Sequence, residues 1–121
     1  MLAPLVERTT FADMEYVRLG RTGLRVSELC FGTMSFGSST WRPWVLEPDD
    51  SEPFYRRALD AGINFFDTAN MYSDGASEEV TGKFLNAHGN RDELVIATKV
   101  HFPTGSGPNM GGLSRKHIEQ A

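Results

Sequence analysis

The sequence predicts an α/β protein built around a parallel sheet, and three observations lead to that fold class. Segments of strand type and helix type alternate from residue 28 onward. The last predicted strand, residues 94–100, is nearly all apolar, which is typical of a parallel strand covered on both faces. The chain has 121 residues, 40% of them hydrophobic and 23% charged, a composition suited to one folded domain. Strands alternating with helices indicate right-handed crossovers between parallel strands.

Composition argues against several classes of function. The net charge is −4 and no basic stripe is present, which argues against binding to nucleic acid. No apolar run approaches the roughly 20 residues that span a bilayer, so we expect no membrane association. Cys30 is the only cysteine, and the three histidines lack zinc-site spacing. We therefore expect no disulfide within the chain, no metal site and a reducing, cytoplasmic location.

The amino-terminal part divides into an extension and a hairpin. Residues 1–13 are expected to form a disordered extension, because their apolar patch is too short and their charges come too late for a signal peptide. The folded part is therefore predicted to be residues 14–121. Residues 16–19 and 24–26 flank Gly20 and Gly23, which predicts a β-hairpin. A first buried strand is predicted at 28–32, followed by a long loop to about residue 47.

The first helix is predicted to start at residues 49–51, which can cap it, with Pro53 in its first turn. Gly62 is expected to end it. A second strand follows at 63–67. One face of the helix carries apolar residues at helical spacing: Phe54, Ala58 and Ala61.

A second helix is predicted from Ser77 as its cap to Gly89 as its end, with Glu78 and Glu79 in the first turn. A third helix, residues 115–121, is capped by Ser114 after the strand at 94–100. The apolar stripe predicted for the second helix consists of Val80, Phe84 and Ala87.

Three polar residues follow the predicted strand ends, where functional groups gather in parallel α/β folds. Asp67 ends the second strand, Tyr72 lies in the next loop, and Lys99 lies near the end of the third strand. Neighbouring strands lie about 4.8 Å apart, so Asp67 and Lys99 are expected to form an ion pair. A cation beside a tyrosine lowers the phenol pKa from about 10, as proton donation to a carbonyl oxygen near neutral pH requires.

Each of these residues also has an ordinary structural interpretation. Asp67 fits a turn or cap, and Tyr72 fits loop packing. Lys99 is more informative, because a lysine interrupting an apolar strand needs a partner.

The remaining histidines and glycines are given lesser roles. His88 is expected to be a cation at a helix end, His117 a solvated helix residue, and His101 not to touch substrate. The glycines at 105, 107, 111 and 112 lie where a phosphate-binding turn would lie, but Met110 breaks the G-x-G-x-x-G spacing. We interpret this segment as a flexible loop.

A series of short motifs spans residues 14–121. They are Arg-Thr-Gly-Leu (21–24) with Val-Ser (26–27), Phe-Gly-Thr-Met (31–34), Gly-Ile-Asn-Phe-Phe-Asp-Thr-Ala (62–69) with Met-Tyr (71–72), Ala-Thr-Lys-Val (97–100) and Gly-Pro-Asn (107–109). In this order and spacing the sequence resembles the aldo-keto reductase family. The resemblance implies an N-terminal hairpin plus the first three βα units of a (β/α)8 TIM barrel. The barrel is expected to be incomplete, with the chain cut off in the third helix.

The resemblance also implies site residues. Asp67, Tyr72 and Lys99 match three members of the family's catalytic tetrad, with Tyr72 as proton donor, Lys99 depressing its pKa and Asp67 anchoring Lys99. The histidine of the tetrad belongs to a fourth strand, which this chain does not reach. The residues implied to contact the cofactor are Gly32, Thr33, Met34 and Asp67. Trp41 or Trp44 is expected either to wall the substrate pocket or to pack within its loop.

The implied function is that of an oxidoreductase reducing aldehydes or ketones to alcohols with NADPH, less often NADH, and a small carbonyl compound as substrate. We expect this chain alone to lack normal turnover, because the histidine and the groups that grip the cofactor phosphates are absent from it. The alternative is a non-catalytic fragment, or a regulatory or interaction subunit of the same fold, as found beside some ion channels. Self-association through open sheet edges is expected in that case.

Overall fold

A computed structural model of the protein describes residues 14–121, so the predicted extension at 1–13 lies outside the described residues. The strands are β1 (Tyr16–Arg18), β2 (Arg25–Ser27), β3 (Phe31–Gly32), β4 (Phe65–Asp67) and β5 (Val95–Ala97). The helices are α1 (Pro48–Asp60), α2 (Ala76–His88) and α3 (Arg115–Gln120), and a 3₁₀ turn (Tyr72–Gly75) precedes α2.

The predicted hairpin is confirmed and is tied to the start of β4. β1 and β2 pair antiparallel, with Tyr16 opposite Ser27. The Tyr16 hydroxyl donates to the Gly62 carbonyl at 2.7 Å, and the Ser27 N–H donates to Asn64 Oδ1 at 2.7 Å. Gly62 and Asn64 precede β4, so the hairpin lies at the amino-terminal end of the sheet, away from the strand ends that carry the site.

The predicted parallel sheet is also confirmed. Its strand order is β3-β4-β5, and both pairs are parallel. The register places Gly32 beside Asp67, and Asp67 beside Ala97. The carboxyl ends of all three strands therefore meet at one edge of the sheet.

Aromatic rings fill the core between the sheet and helices α1 and α2. Tyr55 and Phe66 are fully buried. The ring centroids of Phe31, Phe36 and Phe84 lie 5.3 to 5.5 Å from that of Tyr55, within the range of favourable aromatic pairs. The Tyr55 hydroxyl shares a 2.7 Å hydrogen bond with Thr81 Oγ1, and burial raises the pKa of Tyr55 to about 12.

All three strands of the parallel sheet are shorter than predicted, and the one predicted at 63–67 comprises only Phe65–Asp67. The strand predicted at 28–32 is reduced to Phe31–Gly32, because the Glu28 N–H donates to the Glu15 carbonyl and the Ser27 hydroxyl to the Leu29 carbonyl. These bonds keep that segment with the hairpin. The strand predicted at 94–100 comprises only Val95–Ala97 and is half-buried rather than covered on both faces. Within residues 14–121, β5 pairs with β4 alone, so its other edge is open.

The first helix starts earlier and faces the core differently than predicted. α1 begins at Pro48, so Pro53 lies inside it rather than in its first turn. Ser51 does not cap the helix, because its hydroxyl donates back to the Glu47 carbonyl at 2.7 Å. Phe54 is half-exposed and Tyr55 takes the buried position, so the predicted stripe is wrong at Phe54.

The other helices match their predicted ends more closely than their predicted faces. α2 begins at Ala76, and Ser77 is a buried helix residue rather than its cap. Leu85, not Ala87, is buried on α2. α3 is capped by Ser114, whose hydroxyl accepts from the His117 N–H at 3.2 Å. His117 is buried, contrary to the expectation of a solvated residue.

Between residues 14 and 121 no helix combines the length and the apolar character needed to cross a bilayer. The same residues contain no group of three His, Cys, Asp or Glu side chains placed to hold a metal ion.

Candidate active site

The three residues predicted at the strand ends form one cluster. Lys99 Nζ lies 2.7 Å from Asp67 Oδ2 and 3.0 Å from the Tyr72 hydroxyl oxygen. It also donates to the Thr68 carbonyl at 2.8 Å. An ammonium group has three N–H donors, so all three have an acceptor here. The expected ion pair is present, and the Tyr72 hydroxyl accepts a hydrogen bond from the same ammonium group.

Hydrogen bonds keep Lys99 charged. Partial burial lowers the pKa of Lys99, but its hydrogen bonds to Asp67 and Tyr72 raise that pKa above its ordinary value. The lysine side chain is 51% exposed and the aspartate side chain 37%, so the ion pair adds little to stability. What the cluster provides is a cation fixed beside a phenol oxygen.

A left-handed turn presents Tyr72 to the lysine. The two residues after it, Ser73 and Asp74, have φ of 51° and 53°, a conformation that non-glycine residues seldom adopt. Ser73 is buried, and its hydroxyl accepts from the Ser38 N–H at 3.1 Å. Gly37 packs against the same serine side chain. The first loop thereby holds the turn in place, and backbone strain of this kind is often found at functional sites.

Gly37→Ala is expected to lower the free energy of unfolding by about 1–3 kcal/mol, because the new Cβ would collide with the Ser73 side chain. Gly82→Ala in α2 is the matched control. A Cβ there meets nothing within 4 Å, so alanine should stabilise the helix by about 1 kcal/mol. Urea denaturation of both variants measures the difference. A Gly37→Ala variant as stable as the parent chain would show that the loop does not hold the turn.

Lys99 is positioned by two contacts beyond the end of β5. The Asn70 N–H donates to the Lys99 carbonyl at 3.2 Å. The neighbouring Thr98 hydroxyl donates to Glu78 Oε1 at 2.6 Å, which ties the strand end to the first turn of α2. The sequence placed Glu78 only in a helix first turn. Nothing in one sequence could pair it with a threonine 20 positions away, so this positioning residue was missed.

Glu78→Ala is expected to loosen the segment that carries Lys99. Loss of one such hydrogen bond should speed amide hydrogen exchange at Asn70 by roughly three- to tenfold, because that N–H reports directly on the Lys99 carbonyl. Thr98→Val should have the same effect, and the double variant no additional one. Glu79→Gln removes a charge from the same helical turn at an exposed position and serves as control. Equal exchange rates in Glu78→Ala and Glu79→Gln would remove Glu78 from this role.

The residues implied to bind a cofactor differ in accessibility. Gly32 and Met34 are exposed at the end of β3, and a Cβ added to Gly32 would meet nothing within 4 Å. Thr33 is fully buried. Its hydroxyl donates to the Asp67 carbonyl at 3.0 Å, and its carbonyl accepts from the Ser77 hydroxyl at 2.8 Å. The side chain of Thr33 therefore supports Asp67 from behind, whereas Gly32 and Met34 face the open end of the sheet.

A cleft of about 410 Å³ opens beside the cluster and is lined by residues 69–72 and 99–102. His101 and Phe102 both line this cleft. The expectation that His101 does not touch substrate stays a prediction. His88 lies away from this cleft, at the carboxyl end of α2. Its Nε2 atom is 2.7 Å from Oε1 of Glu52 in α1. In the glycine-containing segment, the Thr104 N–H donates to the Met110 carbonyl at 2.8 Å, which joins the two sides of the loop. That this loop is flexible stays a prediction.

Comparison with known proteins identifies the family of this fold and cluster. The model of the aldo/keto reductase family matches residues 28–121, which include every member of the cluster. The chain belongs to this family. The aldo/keto reductases of known structure include AKR11C1 from Bacillus halodurans in its holo form, which superposes with a TM-score of 0.68 at 32% identity. The match covers 89% of this chain and 34% of that one.

Of two curated relatives, one is named a reductase and the other a channel subunit. The versiconal hemiacetal acetate reductase of Aspergillus parasiticus is 41% identical over 126 residues, which cover 89% of this chain and 37% of the reductase. A probable voltage-gated potassium channel subunit beta of Oryza sativa subsp. japonica is 42% identical over 107 residues, which cover 87% and 30% of the respective chains. The chain spans about a third of the length of these relatives. Together with the parallel sheet, this coverage corresponds to part of an aldo/keto reductase barrel.

Proposed function

We propose that this chain supplies the Asp-Tyr-Lys part of the active site of an oxidoreductase that reduces aldehydes or ketones to alcohols with NADPH. The observation that carries the proposal is the hydrogen bond of 3.0 Å from Lys99 Nζ to the Tyr72 hydroxyl, with the same ammonium held by Asp67 at 2.7 Å. The cleft beside these groups gives a carbonyl compound access to the phenol.

The roles follow from charge. As the carbonyl carbon gains a hydride, negative charge develops on its oxygen, and Tyr72 neutralises that charge by giving up its phenolic proton. The electron pair of the O–H bond then stays on the phenol oxygen, where the Lys99 cation stabilises it. Asp67 holds the ammonium in place and keeps it charged. The product is an alcohol, and Tyr72 regains its proton from solvent.

The open end of the sheet suits a flat nicotinamide ring. Gly32 leaves room above the end of β3, Met34 offers an exposed apolar side chain, and the Asp67 carboxylate is partly exposed beside them. When bound, the reduced cofactor supplies the hydride. We propose that Gly32, Met34 and Asp67 contact its nicotinamide end while Thr33 positions Asp67. NADPH is favoured over NADH by family resemblance alone.

A second candidate is a regulatory or interaction subunit without turnover, and the similarity to a probable potassium channel subunit beta favours it. Within residues 14–121 the outer edges of β3 and β5 have no partner strand, and open edges of this kind can pair with another chain. Self-association through these edges belongs to this second candidate. Under either candidate the exposed free Cys30 fits a reducing compartment such as the cytoplasm.

The test compares the chain alone with a hybrid, in which this chain replaces the matching 37% of the Aspergillus parasiticus reductase. NADPH oxidation is followed with benzaldehyde as substrate, and gel filtration reports the oligomeric state. We expect turnover in the hybrid and little or none in the chain alone. A folded hybrid that binds NADPH but does not oxidise it would reject the reductase proposal in favour of the second candidate.

A further inference from the structure

Met110 closes the glycine-containing loop between β5 and α3 on itself. Its carbonyl accepts from the Thr104 N–H at 2.8 Å, and its own N–H donates to the Gly107 carbonyl at 3.1 Å. Its side chain folds back onto the same loop. A Cβ added at Gly105 would lie 2.6 Å from the Met110 sulfur, and a Cβ added at Gly107 would lie 3.3 Å from it. We call this contact of the Met110 side chain with Gly105 and Gly107 the methionine clasp.

The two glycines make the methionine clasp possible. A side chain at Gly105 would displace the sulfur, so the thioether lies directly against glycine backbone. Methionine suits such a place, because its unbranched and polarisable side chain fills irregular gaps. The residue that breaks the G-x-G-x-x-G spacing is therefore the residue that holds this loop together through its side chain and its backbone.

The side chain of Met110 is also open to chemistry from solvent. Met110 is 43% exposed, so a small oxidant dissolved in water can reach it. With a peroxide, a sulfur lone pair forms an S–O bond, the O–O bond breaks, and the hydroxyl proton passes to the leaving hydroxide, which departs as water. The sulfur is oxidised by two electrons and the peroxide is reduced by two. The sulfoxide is polar, so water solvates it better than the glycine backbone does, and oxidation favours its departure from the clasp.

The loop held by the methionine clasp begins at the cleft beside Tyr72. His101 and Phe102 line that cleft. The Gly112 N–H donates to the His101 carbonyl at 2.8 Å, which joins the two ends of the loop. Residues 101–106 are exposed, so little packing holds them apart from such bonds. Opening of the loop should therefore loosen one wall of the cleft.

We infer that Met110 is an oxidation-sensitive site, at which a peroxide converts the thioether to a sulfoxide, opens the methionine clasp and loosens the cleft wall formed by His101 and Phe102. A methionine sulfoxide reductase reverses this oxidation, so the change is a switch rather than permanent damage. The inference rests on the packing of the loop alone. It stands or falls independently of the proposed reductase reaction.

The test follows the solvent exchange of single amide protons by NMR in the isotope-labelled chain, before and after treatment with hydrogen peroxide. Peptide mass spectrometry verifies that Met110 has gained an oxygen atom. We expect the Thr104 and Gly112 amides to exchange about three- to tenfold faster after oxidation, and to return to their initial rates after enzymatic reduction of the sulfoxide. If these amides exchange as fast before treatment as after it, the clasp does not hold the loop and the inference is wrong.

Variants assign the effect to one methionine. Met110→Leu keeps an apolar side chain without sulfur, so its loop amides should not respond to peroxide. Met34→Leu is the matched control, because Met34 is 41% exposed but lies outside the loop, and this variant should keep the full response. Met110→Gln introduces a polar side chain and should speed exchange without peroxide. Both positions are exposed, so the variants should stay folded, which circular dichroism checks. An equal response of Met110→Leu and the parent chain, or slow exchange in Met110→Gln, would overturn the inference.

Discussion

Replacing Tyr72 with phenylalanine should lower kcat of the hybrid by about 10²–10⁴, the usual contribution of a positioned acid to proton transfer. The change removes one oxygen atom, which donates the proton in the proposed reaction and accepts from Lys99 Nζ at 3.0 Å. The ring remains, so its contact with Trp41 and the shape of the cleft should be kept. The loss should therefore appear in kcat, with little change in NADPH affinity.

Steady-state NADPH oxidation with benzaldehyde measures kcat, and fluorescence titration measures NADPH binding. Tyr16→Phe is the matched control, because it removes a phenol oxygen from the hairpin at the opposite end of the sheet. The control should cost stability, through loss of the bond to the Gly62 carbonyl, but not the chemical step. Turnover of Tyr72→Phe within about tenfold of the parent hybrid would remove Tyr72 as the proton donor.

The sequence predicted the proximity of Asp67, Tyr72 and Lys99 better than it predicted the strands and helices around them. Parallel strands end at one edge of a sheet, so the alternating pattern was enough to bring Asp67, Tyr72 and Lys99 together. The exact ends of β3 and β5 did not matter to that argument. β3 is shortened by the local bonds of Ser27 and Glu28, which a propensity pattern does not include.

Helix faces were predicted less well, for a physical reason. On α1 the spacing of Phe54, Ala58 and Ala61 is helical, but Tyr55 is the residue that is buried. Tyr55 is amphipathic, and its burial depends on the Thr81 hydroxyl of another helix, 26 residues away. Similarly, Ser77 matches a cap in sequence, yet its hydroxyl bonds the Thr33 carbonyl across the structure. Long-range hydrogen bonds of this type cannot be read from local spacing.

Lys99→Met should lower kcat of the hybrid by about 10²–10³, as expected for removal of one preorganised charge at a site where negative charge develops. Methionine keeps an apolar chain of similar length but loses the ammonium. Without the cation, the charge left on the Tyr72 oxygen after proton transfer loses the counter-charge at 3.0 Å, and Asp67 loses its partner at 2.7 Å. Proton transfer should therefore become slower relative to the other steps, so the solvent isotope effect on kcat should increase.

Two companion variants make this result specific. Lys116→Met removes a lysine from the exposed part of α3 and should leave kcat unchanged. Asp67→Asn keeps an oxygen that accepts from Lys99 but removes the negative charge, so it should cause a smaller loss than Lys99→Met. If Lys99→Met retained near-normal kcat, Lys99 would have no part in the reaction and the Asp67–Lys99 pair would be structural. If instead Asp67→Asn were the more damaging change, the proposed contact of Asp67 with the cofactor, rather than its hold on the lysine, would be its main contribution to turnover.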